Sequence, residues 1–279
     1  VSWDVVLDTF ATAIRTALQE GRHDEVMYHV GRPGHDGYMD RVLQAWGVDG
    51  HNSHTNVCSA AARLGYAVWQ GSDRPSPDHE NAKFMLLLSS HLETGHYFNP
   101  HAQRIVAGKA AGARIAVIDI RLSNTASAAD WWLAPWPGTE AFLLLTLANI
   151  LLSEGRINSD FLREWTNWRE WMRHVGEPED FEAFLVRLRE HYARYTPEAC
   201  AAECRIDASS LRDIARAIGD AGPAFASHVW RNAASGNLGG WQVARCLEFL
   251  SVLVGAVGTK GGTNLASADK FVPAPFAKP

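Results

Sequence analysis

The chain is poor in cysteine, with four in 279 residues. Cys58, Cys200, Cys204 and Cys246 contain no C-x-x-C pair, so they encode neither a zinc ribbon nor an iron–sulfur ligand set. It lacks a long apolar run. The longest, Ala141 to Leu152, falls far short of the ~20 residues that a membrane-spanning helix needs, and Thr146 and Asn149 interrupt it. It also lacks positive charge in excess: the formal net charge of −5 argues against a general nucleic-acid-binding surface. There is no G-x-G-x-x-G after a strand and no G-x-x-x-x-G-K-[ST], which weakens ordinary NAD and ATP readings. There is no internal repeat or low-complexity linker. Nothing at the start resembles a signal peptide, because Ser2 to Gly21 reads as an amphipathic helix that begins at once. What remains is the composition of a soluble globular chain, 47% hydrophobic and 20% charged, which excludes a disordered or disulfide-scaffold protein.

Val6, Phe10, Ile14, Ala17 and Leu18 recur at helical spacing, with Ser2 able to cap the helix and Gly21 able to end it. Val26 to Val30 reads as a strand stopped by Gly31-Arg32-Pro33-Gly34, and Asp36 to Trp46 as a helix. Three more buried strands are expected at Phe84–Leu88, Arg114–Ile120 and Ala224–Trp230. Helices are expected at Ser59–Trp69, Pro100–Ala111, Thr139–Ser153, Pro178–Tyr195, Ser209–Gly219 and Gly239–Val254. Strands spaced by helices imply an α/β fold, a parallel sheet with helices on both faces. The extended ending Val272–Pro279, and a first helix with no strand before it, lead us to expect a piece of a longer polypeptide.

Several residues can carry chemistry. Cys58 lies at the entry of the small-residue helix that Ser59 begins, where unpaired amides and the macrodipole stabilise a thiolate. A partly exposed thiol there is nucleophilic or metal-bound; a catalytic cysteine with His54 as its base is the rival reading. The other three cysteines read as small buried hydrophobes. Asp119 ends a strand, where an acid either accepts hydrogen bonds from a ribose or base or caps the next turn. Pro137-Gly138-Thr139-Glu140 opens the most apolar helix. Its free amides can meet a phosphate and Glu140 can pair with the N–H edge of a guanine, or Glu140 is simply an acid in a first turn. Asp119 and Glu140 are expected to converge on one guanine-sized pocket. His29, His35, His51, His54, His91, His96 and His101 are dense in the first part, and some are expected to line a funnel for an anionic substrate.

Read together, these segments resemble the molybdopterin oxidoreductases of the dimethyl sulfoxide reductase family. Ser2-Trp3-Asp4 is similar to the family's "SWDEAL" helix, Ser89-Ser90-His91-Leu92-Glu93-Thr94-Gly95-His96 to "GSNPAExH", and Ile118-Asp119-Ile120-Arg121 to "VDPR". Pro137-Gly138-Thr139-Glu140 is similar to "PGTD", with one methylene more in the acid, and Gly255-Ala256-Val257-Gly258-Thr259-Lys260-Gly261-Gly262 to the "GNIGxxGG" turn. The order and spacing of these motifs cover nearly the whole chain. The resemblance implies Rossmann-like architecture with two cofactor-binding domains, one incomplete: residues 1–57 begin a molybdopterin-binding domain and 58–279 form an inserted dinucleotide-binding domain. It implies molybdenum bis(molybdopterin guanine dinucleotide) as cofactor and Cys58 as the metal ligand, with His54 beside it as a candidate catalytic residue. It implies cofactor-binding roles for Ser89, Ser90, Glu93, His96, Asp119, Arg121, Thr125, Gly138, Thr139 and Glu140.

A cysteine ligand disfavours the dimethyl sulfoxide reductase branch proper, which uses serine, and the respiratory nitrate reductase branch, which uses aspartate. Formate dehydrogenases usually follow the ligand with histidine, where this chain has Ser59. The resemblance therefore implies oxygen- or sulfur-atom transfer on a small inorganic substrate of the thiosulfate, polysulfide, tetrathionate or arsenic-oxyanion kind. Periplasmic-type nitrate reductase and formate dehydrogenase are the alternatives within the family, and a molybdenum-free scaffold subunit of a respiratory complex is the alternative outside its chemistry. The family also implies a [4Fe–4S] cluster in polypeptide beyond this segment, an iron–sulfur electron-transfer partner subunit, a membrane anchor subunit, and a periplasmic location.

Overall fold

The computed structural model describes residues 1–279 except 31–35, 74, 93–99, 230–232, 235–238 and 265–279, and leaves out the side chains at 36, 37, 51 and 55. The chain divides into two compact units that meet between Cys58 and Ser59.

The first unit holds α1 (Trp3–Gln19), β1 (Met27–Val30), α2 (Asp36–Trp46), β2 (Gly50–Ser53) and α3 (His54–Cys58). Ser2 caps α1 by accepting a hydrogen bond from the Val5 amide at 3.4 Å. Gly21, at φ +74°, supplies the left-handed turn that follows the helix. β1 pairs with β2 in parallel, from Met27 opposite Gly50 to Val30 opposite Ser53. β2 reads Gly-His-Asn-Ser, without apolar alternation, and sequence reasoning did not expect it. Its close approach depends on Gly50, where a Cβ would lie 2.3 Å from the Val26 carbonyl oxygen. Of the five apolar residues that mark α1 in sequence, only Ala17 is buried.

The second unit runs α4 (Ala60–Gln70), β3 (Ser76–Pro77), β4 (Phe84–Leu88), α5 (His101–Ala110), β5 (Arg114–Ile118), α6 (Asn124–Ser127), β6 (Trp131–Leu133) and α7 (Glu140–Ser153). It continues through α8 (Ser159–Trp165), α9 (Trp168–His174), α10 (Phe181–Tyr192), α11 (Pro197–Cys204), α12 (Ala208–Ala221), β7 (Phe225–Val229), α13 (Trp241–Leu253) and β8 (Thr263–Asn264). Four strands form a sheet in the order β6-β5-β4-β7, and every pair is parallel.

The sheet is covered on both sides, as the sequence leads one to expect. All five residues of β4 are buried, and their alternation divides them between two cores. Phe84, Leu86 and Leu88 join the larger core with α7, α12 and α13. Met85 and Leu87 join the smaller one with Ile105 of α5. A strand buried on both faces needs a continuous apolar run, and Phe-Met-Leu-Leu-Leu supplies it. Burying these side chains contributes about 1.5–3 kcal/mol each before entropy is counted.

The short elements are set by caps and by pairing. Asn158 accepts from the Phe161 amide at 2.9 Å to start α8, and Thr196 accepts from Ala199 at 3.1 Å to start α11, where Pro197 stands at the first turn. α4 is fixed to α13 through buried polar groups. Gln70 donates to the Glu248 carboxyl group, which is fully buried, and Trp69 stacks on Phe249 with ring centroids 5.6 Å apart.

Candidate functional site

The carboxyl ends of β4 and β5 and the N-terminus of α7 line an open cleft. Its lining includes Ser89, Asp119 and Glu140, with Ile120, Pro135 and Pro137 as apolar walls. β5 was expected to reach Ile120 but ends at Ile118, because the chain turns at Asp119. The Asp119 amide still donates to Leu133 at 3.0 Å, while its Oδ1 accepts from the Arg121 amide at 2.9 Å. The Trp132 indole donates to the Asp119 carbonyl at 2.7 Å, which braces the turn from the next strand.

Glu140 is held in a similar way. Gly138, at φ +94°, directs its amide to Glu140 Oε2 at 2.9 Å. Thr139 packs down by donating its hydroxyl to the Trp136 carbonyl at 2.7 Å. Each acid therefore has one carboxylate oxygen fixed by a backbone amide. Such pre-orientation lowers the ordering cost of binding. Ser89 adopts φ +53° at the end of the central strand, a left-handed conformation that costs a non-glycine residue about 1–2 kcal/mol. Its amide is held by the Ile118 carbonyl at 2.8 Å. Strain of this kind concentrates at ligand sites.

Other residues singled out in sequence support the cleft without lining it. The buried Ser90 hydroxyl donates back to Leu88 at 2.9 Å, so it shapes the turn. Arg121 is exposed. Thr125 is buried within α6, which Ser123 caps by accepting from Ala126 at 3.2 Å. Glu93 and His96 lie outside the described residues, as does His35.

Two of the cysteines that the sequence marks as small buried hydrophobes lie behind α7. Cys200 and Cys204, both fully buried on α11, place their sulfurs 3.5 Å apart. The Cys204 thiol lies 3.7 Å from the Thr139 carbonyl, so this pair pins α11 to the cap of α7. The four-residue spacing that puts the pair on one helix face was the available signal.

Cys58 is the last residue of α3, one position before Ser59, from which α4 starts. Sequence reasoning expected a partly exposed thiol, but Cys58 is only 5% exposed. The short helix α3 accounts for the difference: Cys58 closes it rather than standing free at the start of α4. It belongs to neither apolar cluster. His54 opens α3 and, four residues from Cys58, shares its helix face. No helix among the described residues is long and apolar enough to cross a membrane.

No protein-family model matches the chain. It is 27% identical over 287 residues to the probable dimethyl sulfoxide reductase chain YnfF of Escherichia coli, across 95% of this chain and 34% of that protein. It is 26% identical over 278 residues to the arsenate respiratory reductase molybdopterin-containing subunit ArrA of a Shewanella species, across 94% of this chain and 32% of that one. The fold is similar to that of acetylene hydratase from Pelobacter acetylenicus, with a TM-score of 0.75, 20% identity, and coverage of 95% of this chain and 34% of that chain. The chain thus spans about a third of the length of the curated relatives it matches.

Proposed function

This chain is a homologue of the molybdopterin oxidoreductases of the dimethyl sulfoxide reductase family, and from that premise we propose that it forms part of a catalytic subunit binding molybdenum bis(molybdopterin guanine dinucleotide). The observation that carries the reading is the cleft that Asp119 and Glu140 both line, each with one carboxylate oxygen fixed by a backbone amide. Two oriented acceptors at the carboxyl end of a parallel sheet suit a ribose hydroxyl and the N–H edge of a guanine. Ile120, Pro135 and Pro137 give the cleft an apolar side against which a planar base can lie.

Cys58 is the residue proposed to bind the metal. A thiolate is a suitable ligand for a soft, high-valent centre, and its charge helps to set the potential. When bound, the cofactor supplies two-electron transfer of an oxygen or sulfur atom. Cysteine at this position favours a substrate such as thiosulfate, polysulfide, tetrathionate or an arsenic oxyanion. One-electron delivery then falls to a [4Fe–4S] cluster in the rest of the polypeptide and to an iron–sulfur partner subunit.

The test is nucleotide retention by the intact protein. Asp119→Ala and Glu140→Ala each remove one charge-assisted acceptor, worth about 1.5–3 kcal/mol, and should weaken retention of the guanine dinucleotide by roughly 10- to 100-fold. Unchanged guanine content in both variants would mean that the cleft holds something else.

A further inference from the structure

On the face of the sheet opposite the larger core, three histidines from separate segments meet. His79 precedes β4, His101 is the first residue of α5, and His228 lies on β7. Their ring centroids are 5.1 Å apart for His79 and His101, 5.2 Å for His101 and His228, and 6.2 Å for His79 and His228. His79 is fully buried, and neither of its ring nitrogens has a hydrogen-bond partner. α5 presses directly on this segment, since a Cβ at Gly108 would lie 2.3 Å from the His79 carbonyl oxygen and 2.5 Å from Met85 Cε. Among the described residues no group of three or more ligand-type side chains is arranged to hold a metal ion. Imidazole rings can take up protons near neutral pH.

Among the described residues, the charges acting on His79 and His101 resist a proton, with one exception. Arg104, one turn along α5, acts against protonation of His79 and of His101, and the positive end of the α5 dipole acts in the same sense. Asp78 is the one acid that acts in favour. It is already committed, accepting from Asn81 at 3.0 Å and from the Gly261 amide at 2.9 Å, with Lys260 close by. Burial lowers the pKa of His79 to about 3 and, with Arg104, lowers that of His101.

We propose that His79 and His101, packed against His228, form an acid-sensitive clasp that holds α5 on the sheet while the two rings are neutral and releases it when they take up protons. The proposal does not depend on what the cleft binds.

Hydrogen exchange of the α5 amides in the intact protein, corrected for intrinsic rates, tests it. A ring that regains its ordinary pKa of 6.5 on opening favours the open state at pH 5.0 by about 30-fold relative to pH 7.5. Exchange in α5 should accelerate by at least that factor, while α7 on the other face stays unchanged. In His79→Phe or His79→Leu the acceleration should shrink by about that same factor. Exchange in α5 that is flat with pH, or an acceleration shared equally by α7, or one retained in full by these variants, overturns the proposal. Failure of both variants to fold also contradicts it, because a neutral ring without hydrogen-bond partners should be replaceable by an apolar side chain.

Discussion

Replacing Glu248 by glutamine isolates the effect of one buried carboxyl group on the seam between α4 and α13. Glu248 is fully buried and accepts a hydrogen bond from Gln70, and burial raises its pKa from 4.5 to about 8. Between those values the folded protein holds a proton that the opened state releases, so stability falls as pH rises. The slope is about 1.4 kcal/mol per pH unit, about 5 kcal/mol across the whole window and about 3 kcal/mol by pH 7. Below the lower value the group is protonated in both states and contributes no slope. Glutamine preserves the shape and can still accept from Gln70 but does not titrate. Hydrogen exchange of the α4 and α13 amides, measured from pH 5 to 9, should give opening free energies that fall with pH in the natural protein and stay level in Glu248→Gln. The two should agree near pH 5 and differ by several kcal/mol at pH 9. Parallel slopes in the two proteins would refute the reasoning, since the carboxyl group would then be ionised in the fold or not titrating at all.

Three further outcomes are expected. Cys58→Ala should cost about 1–2 kcal/mol of stability, as truncation of a small buried side chain does, and should lower turnover of the full enzyme at least 100-fold; activity within a factor of two of the natural enzyme removes Cys58 from the metal. Gly50→Ala should destabilise the β1–β2 pairing by about 1–3 kcal/mol, because the new methyl group meets the Val26 carbonyl; unchanged exchange protection of the β1 amides would show that the strands part without cost. The full-length enzyme should contain iron and show the electron paramagnetic signal of a reduced [4Fe–4S] cluster, and iron near zero with dye-linked turnover intact would mean that electrons take another route.

The sequence was most informative where one signal dominated. β4 was legible because five consecutive apolar residues, too few for a helix and bounded by Lys83 and Ser89-Ser90, suit a strand buried on both faces. The large helices α7 and α13 were legible from apolar length. β2 was not, because Gly-His-Asn-Ser carries little strand preference, and β6 was not, because Trp131–Leu133 is only three residues long; the pairing of each is decided by neighbours, Gly50 against Val26 in one case and the strand formed by Ala116–Ile118 in the other. Asp119 and Glu140 were legible as types at positions, but not the backbone amides that orient them, which depend on the turn at Arg121 and on the positive φ of Gly138. His101 was expected within the helix Pro100–Ala111 and grouped with the histidines of which some would line a substrate funnel. Its burial against His79 and His228 follows from how tightly α5 lies on the sheet, which no local pattern encodes.

The account rests on the claim that this chain helps to bind molybdenum between guanine dinucleotides. Elemental analysis of the intact protein, together with quantification of the guanine nucleotide released by acid hydrolysis, tests that most directly. The account predicts about one molybdenum per chain and about two guanine nucleotides per molybdenum. A correctly folded intact protein that yields neither the metal nor the nucleotide would contradict it and point to a scaffold subunit that keeps the fold without the chemistry.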